Sequence, residues 1–316
     1  MLAELTTIDA SVNNITEDVF SNTFNQAQQY KLQELKYNAT HKCTWPHCPG
    51  AVAVLQPKGF LNDYYDDEGW WALAWLKVYD LTKQQRYLQV ASDIFDDMVS
   101  KGSNATCGGI WWDRARTYES AIANELFLSV AAHLANRKPN KVYYIDWALR
   151  QWQWFRDSGL INADNNINDG LDSTTCKNNN AQVYTYNQGV ILGALVELNI
   201  ATPNDSYIST AHNIASSAIK KLSDAQGILH EPGEPDLGND GDQFKGIFMR
   251  NLQVLQQATG DRAFRAFIEK NARSIWQYGR NASTNFLGPV WSGPLYTTTA
   301  ATQSSALDAL VAAAAM

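Results

Sequence analysis

EGWWALAWLKVYDLTKQQRYLQVASDIF, residues 68–95, holds two helices of opposite character joined by a turn. The first half is apolar on most faces, which suits a helix buried inside a protein, whereas the second repeats apolar residues at helical spacing and leaves a polar face for solvent. The same pairing recurs. YESAIANELFLSVAAHLA, YNQGVILGALVELNIA and FKGIFMRNLQVLQQA are each followed by an amphipathic partner, and the aromatic anchors Tyr87, Tyr144, Tyr207 and Phe264 stand 57, 63 and 57 residues apart. Hairpins repeated at such a period bury together what none buries alone, as an open solenoid or a closed ring. The chain begins with an amphipathic helix around ITEDVFSNTFNQAQQYKLQEL and finishes with the apolar SSALDALVAAAAM, so its ends can meet. The expectation is an all-α toroid, one domain over residues 1–316, with five inner and five outer helices.

A hydrophobic content of 45% over 316 residues is ample for a large core. The net charge of -7 and the lack of a basic run argue against nucleic-acid and anionic-membrane partners. No apolar run is long enough to span a bilayer, and MLAELTTIDASVNN lacks the basic end and hydrophobic stretch of a signal peptide. Five N-x-S/T sequons, at Asn14, Asn38, Asn104, Asn204 and Asn281, nevertheless point to a glycoprotein that is secreted or held at the cell wall. Cysteine usage fits that reading. Cys43 and Cys48 lie close together, Cys107 and Cys176 sit in separate loops, and two disulfides are compatible with the pattern. His41 and His47 flank the first pair at a spacing that matches no common zinc finger, so no metal is expected. Without a phosphate-cradling glycine loop, no cofactor is implied either.

The long connections, residues 101–116, 159–185 and 224–241, all run from an outer helix to the next inner one, which places them on one face of the ring. Asp66 and Asp67 stand at the same kind of junction. Acidic residues in a first helical turn commonly do no more than complement the helix dipole. Adjacent carboxylates beside aromatic faces are also what glycosidic cleavage needs, one to donate a proton and one to meet the developing positive charge. With 11 Trp and 14 Tyr, the chain has many faces on which sugar rings could stack. Asp96 and Asp97 serve as a control, because a solvated face of an amphipathic outer helix explains that second pair.

FLNDYYDDEGWWALAWLKVYDLT, CGGIWWD, YESAIANELFLSVAAHL, YTYNQGVILGALVEL, FKGIFMRNL and QSSALDAL, in this order, resemble glycoside hydrolase family 76, the endo-α-1,6-mannanases and related fungal cell-wall enzymes. The resemblance implies a six-hairpin (α/α)6 barrel and a retaining double displacement on α-1,6-mannan, with Asp66 as nucleophile and Asp67 as general acid/base. Trp111 and Trp112 become sugar-stacking candidates, one of which would otherwise be core. Tyr118, Tyr186 and Asn187 become substrate contacts, with capping and packing as the alternative. Cys107 and Cys176 are expected to form a disulfide, and Cys43 with Cys48 a second. Asp113, Glu231 and Asp242 fall near the same face without an assigned role. Glu119 and Ser120 stand where many relatives have Lys and Asn, which would alter a subsite. The family also implies a Trp-rich hairpin between the first helix and the Asp pair, and this chain has only KYNATHKCTWPHCPGAVAVLQPKGFLNDYY there. A barrel short of one hairpin near the N-terminus, with an open groove and weakened activity, is therefore expected. The partner would be an α-mannan polysaccharide or oligosaccharide, bound by a monomer. A cell-wall mannan transglycosylase of the same chemistry and a non-catalytic mannan-binding relative are the competing readings. A sugar epimerase would be expected to use histidines at the site, and of the five only His133 falls in these motifs, near the end of YESAIANELFLSVAAHL and away from the long connections.

Overall fold

The computed structural model describes residues 2–28 and 59–316. The expected Cys43–Cys48 pair, His41, His47 and Asn38 lie outside them. Among the described residues are eleven α-helices: α1 (Leu2–Ile8), α2 (Asn13–Ala27), α3 (Tyr65–Thr82), α4 (Gln85–Asp97), α5 (Ala121–Ala135), α6 (Lys141–Asp157), α7 (Thr185–Ala201), α8 (Asp205–Leu222), α9 (Gly238–Thr259), α10 (Arg262–Tyr278) and α11 (Ala300–Ala314).

Helices α3, α5, α7, α9 and α11 pack side by side as the inner ring, and α4, α6, α8 and α10 lie outside it. Composition explains the division. Every residue of α5 except His133 is buried, as a helix with neighbours on all sides requires. On α10 the buried residues, among them Phe264, Phe267, Ile268 and Ile275, recur at three- and four-residue spacing and form one stripe. The inner helices also approach closely. A Cβ at Gly189 would lie 2.6 Å from Phe248 Cα, and one at Gly246 would lie 2.6 Å from Ser305 Cα, so glycine lets α7, α9 and α11 touch backbone to backbone.

The N-terminal region differs in detail from the expectation. Helix α1, which the periodicity did not single out, packs on both α3 and α11, so the ring has a sixth inner member two turns long. Helix α2 lies outside. Its Phe24 meets Trp75 of α3 at 5.1 Å and Tyr87 of α4 at 5.2 Å between ring centroids. Trp75 in turn stacks on Tyr87 at 5.2 Å, anchoring the first hairpin of the 57-residue repeat. Among the described residues there are thus six inner and five outer helices where five and five were expected, and none of them lies outside the seam between α11 and α1.

Connections at the N-terminal ends of the inner helices are stitched together by isolated antiparallel bridges, including Tyr64 with Asp113, Ser103 with Ile110 and Ser120 with Gly170. This is the face expected to carry the site. No described helix is long and apolar enough to cross a membrane.

Candidate active site

The inner ring encloses a cleft of about 1090 Å³ whose walls include Tyr64, Asp66, Asp67, Trp70, Trp112, Tyr118, Asp169, Tyr186 and Phe244. Asp66 and Asp67 occupy the first turn of α3, after Tyr64 as N-cap. The Asn62 side chain accepts from Tyr64 N at 2.8 Å and its amide donates to Asp67 Oδ2 at 2.7 Å, so one residue both shapes the turn and orients a carboxylate.

Asp66 is oriented by the adjoining 101–116 connection. Tyr65 N donates to Trp112 O at 2.8 Å, which lays the 101–116 loop against the start of α3. From there the indole Nε1 of Trp112 donates to Asp66 Oδ2 at 2.9 Å, while Oδ1 is buried without a partner. Burial, reinforced by the Asp67 charge, pushes the Asp66 carboxyl up to about 7 against the opposing Trp112 hydrogen bond.

A buried ion cluster underlies this corner. Arg114 contacts Glu68 of α3 and reaches Asp97 Oδ2 at 2.6 Å, and Asp97 also pairs with Lys101. Glu68 in addition accepts from Asn62 N at 3.1 Å. Asp97 is thus buried in a network beneath the loop, which corrects the solvated-face reading of the second Asp pair; Asp96 is exposed as expected. Arg114 brings together the end of α4, the loop and the start of α3, joining residues far apart in the chain.

Trp111 and Trp112 part company. Trp111 belongs to the hydrophobic core and lies outside the cleft lining, whereas Trp112 lines the cleft and meets Tyr64 at 4.8 Å between rings. Tyr118 lines the cleft beside Trp112, with 6.2 Å between the rings, its hydroxyl donating to Asp169 Oδ2 at 2.8 Å and accepting from Asn179 at 2.9 Å. Tyr186 stacks on Phe244 with 3.8 Å between centroids. Asn187 is fully buried behind that surface and does not line the cleft.

Asp169 is the main cleft residue the sequence reading missed. It sits in a loop rich in Asn, Asp and Gly, where nothing in local pattern separates a cleft carboxylate from a turn former. Burial raises its carboxyl, opposed by the hydrogen bond from Tyr118. Phe244 was likewise hidden within an ordinary helical repeat.

The remaining acids are structural. Asp113 is buried and accepts from Thr117 N at 2.8 Å. Glu231, pushed up to about 8 by burial, accepts from Thr185 N at 3.1 Å and so holds the first turn of α7. Asp242 accepts from Thr299 Oγ1 at 3.3 Å. Glu119 points away from the cleft and accepts from Cys107 N at 2.9 Å, whereas Ser120 caps α5 and lines the cleft. Cys107 and Cys176 form a disulfide with Cα atoms 5.2 Å apart, tying the Trp112 loop to the 159–185 connection.

A ring of helical hairpins with an acidic, aromatic-lined cleft at its loop face defines an α/α-barrel carbohydrate-active protein. The chain belongs to glycosyl hydrolase family 76, whose model matches residues 20–316. It is 26% identical to the putative mannan endo-1,6-alpha-mannosidase C1198.07c of Schizosaccharomyces pombe over 65% of this chain and 52% of that protein. It is 24% identical to the mannan endo-1,6-alpha-mannosidase DFG5 of Candida albicans over 74% of this chain and 55% of that protein. The chain thus spans about half the length of these curated relatives. Among solved structures, an α-1,6-mannanase of Salegentibacter sp. HEL1_6 superimposes with a TM-score of 0.73 at 25% identity, covering 81% of this chain and 77% of that one. That structure holds α-1,6-mannotriose in a variant made inactive by changing two consecutive aspartates to asparagine.

Proposed function

We propose that this chain is a retaining, endo-acting hydrolase of α-1,6-mannan in which Asp66 is the nucleophile and Asp67 the general acid/base. The observation that carries the reading is the placement of two consecutive carboxylates on the cleft wall, each oriented by a different donor, Trp112 for Asp66 and Asn62 for Asp67. The inactivated mannanase of Salegentibacter, altered at two consecutive aspartates, supports giving the pair this role.

In the forward step Asp67 gives its proton to the glycosidic oxygen while Asp66 attacks the anomeric carbon. The carbon–oxygen bond to the leaving sugar breaks and a mannosyl ester forms. Asp67, now anionic, takes a proton from water, whose oxygen displaces Asp66 and restores both groups. Trp112, Tyr118, Tyr186 and Asp169 surround the reacting sugar as stacking faces and hydroxyl partners. Trp111 and Asn187 support them from behind.

The raised Asp66 carboxyl favours a second reading in which the roles are exchanged. Its geometry speaks against that. Oδ2 accepts from an indole that only donates, a contact that favours the anion at Asp66 over the protonated acid. A developing positive charge on the sugar also favours the anion at Asp66, leaving the shared proton to Asp67.

A cell-wall location follows from the same assignment, because α-mannan is the substrate. Incubation with linear α-1,6-mannan tests the proposal through its products. Shorter α-1,6-oligosaccharides are expected; longer chains alone would indicate a transglycosylase, and retention on a mannan column without turnover would indicate a binding protein.

A further inference from the structure

We propose that Asn104 carries an N-linked glycan whose first sugar packs into a tryptophan-walled cup behind the active-site loop. The cup is a second pocket of about 190 Å³, separate from the catalytic cleft, with Trp147, Trp154, Arg150 and Asn104 on its walls. It falls below the 300–1,000 Å³ typical of drug-sized ligands, and so suits one ring rather than a chain.

Both indole walls are held in place. Trp154 Nε1 donates to Cys107 O at 2.8 Å, and a Cβ at Gly108 would come within 2.5 Å of that nitrogen. Trp147 meets Phe127 edge to face at 5.8 Å, with the Arg150 guanidinium 5.7 Å from its ring centroid. Pre-set aromatic faces beside a polar fringe suit a pyranose, whose C–H faces stack while its edges hydrogen-bond.

The occupant is indicated by the sequon on the rim. Asn104-Ala105-Thr106 forms an exposed turn with Asn104 at φ 62°, pinned by the buried Ala105 between two exposed residues. The other described sequons spend their polar groups locally. Thr16 is buried in α2 with its hydroxyl donating to Val12 O, Asn204 caps α8 by accepting from Ser206 N, and Asn281 accepts from Ser283 N. Asn104 makes only a 3.5 Å contact with Ser103 Oγ, and of these four it alone borders the cup.

In the modification, Asn104 Nδ2 bonds to C1 of a lipid-diphosphate-linked oligosaccharide. The C1–O bond to the diphosphate breaks, the lipid diphosphate leaves, and the amide proton is lost. The attached sugar then covers Trp147 and Trp154 and braces the Gly108–Gly109 turn that leads to Trp112.

The test is secretion of the full chain from a yeast host, followed by glycopeptide mapping and timed endoglycosidase digestion of the folded protein. Asn104 should be occupied, and its glycan should resist the enzyme at least ten-fold longer than the same glycan on unfolded protein. Trp147→Ala should keep the glycan but abolish that protection, while Thr106→Ala should remove the glycan and lower the melting temperature. An unmodified Asn104 would overturn the proposal. So would an occupied Asn104 whose glycan is cleaved equally fast with and without Trp147.

Discussion

The indole of Trp112 donates to Oδ2 of Asp66 across 2.9 Å, joining residues 46 positions apart. Because an indole can only donate, this contact favours the anion and opposes the burial that raises the carboxyl. Trp112→Phe keeps a ring but removes the donor. A hydrogen bond to a charged group is worth about 1.5–3 kcal/mol, so kcat/KM should fall by about ten-fold or more and the basic limb of the pH profile should move upward. Kinetics across pH would check both effects, and an unchanged limb would disconnect Trp112 from Asp66.

The pair holds its last proton up to about pH 7, the value at which burial leaves Asp66. Turnover should therefore decline as pH rises through about 7. Stability should follow the same direction. The folded-state carboxyl lies above its unfolded value of 3.8, so its stabilising contribution is fully present below that value and is lost as pH rises toward 7. Thermal melts from pH 4 to 8 should show a decline to which Glu68, raised to about 7, and Glu231, raised to about 8, also contribute, and Asp66→Asn should make it shallower. An equally steep slope in the variant would mean that Asp66 is not among the groups responsible.

Asp97 and Asp96 look alike in sequence and should behave differently. Asp97→Asn takes from Arg114 one of its two carboxylate partners and from Lys101 its only one in the buried cluster, and losing a hydrogen bond between charged groups costs about 1.5–3 kcal/mol. Exposed Asp96→Asn should stay within about 0.5 kcal/mol of wild type. Denaturant unfolding of the two variants separates them, and equal midpoints would remove the cluster from the account.

The disulfide between Cys107 and Cys176 closes a loop with a sequence separation of 69. Its removal by paired serine substitution should cost about 2–5 kcal/mol, chiefly by freeing the unfolded chain. Since the bridge also holds the Trp112 loop, activity should fall at temperatures where the fold persists. Activity fully retained below the melting transition would limit the bridge to a global role.

The ring itself was legible because buried and amphipathic helices differ in composition as well as period, and that contrast repeats through four hairpins. Asp66 and Asp67 were legible because a family motif surrounds them. Helix α1 was not, since seven residues are too few to establish a period and its place depends on contacts with α3 and α11. Asp97 reads as solvated on its own helix; Arg114 arriving from a later loop buries it. Asp169 and Asn62 owe their roles to partners brought by folding, Tyr118 for one and Asp67 for the other. Trp111 and Trp112 differ only in which way the loop turns them.

Double displacement makes a stereochemical commitment that neither binding nor inversion shares. The most direct measurement is proton NMR of the first sugar released from linear α-1,6-mannan, before mutarotation, with Asp66→Asn in parallel. The account predicts that the new reducing end appears as the α anomer with the unaltered chain and that none appears with Asp66→Asn. A β anomer, or equal release by the variant, would contradict Asp66 as the nucleophile.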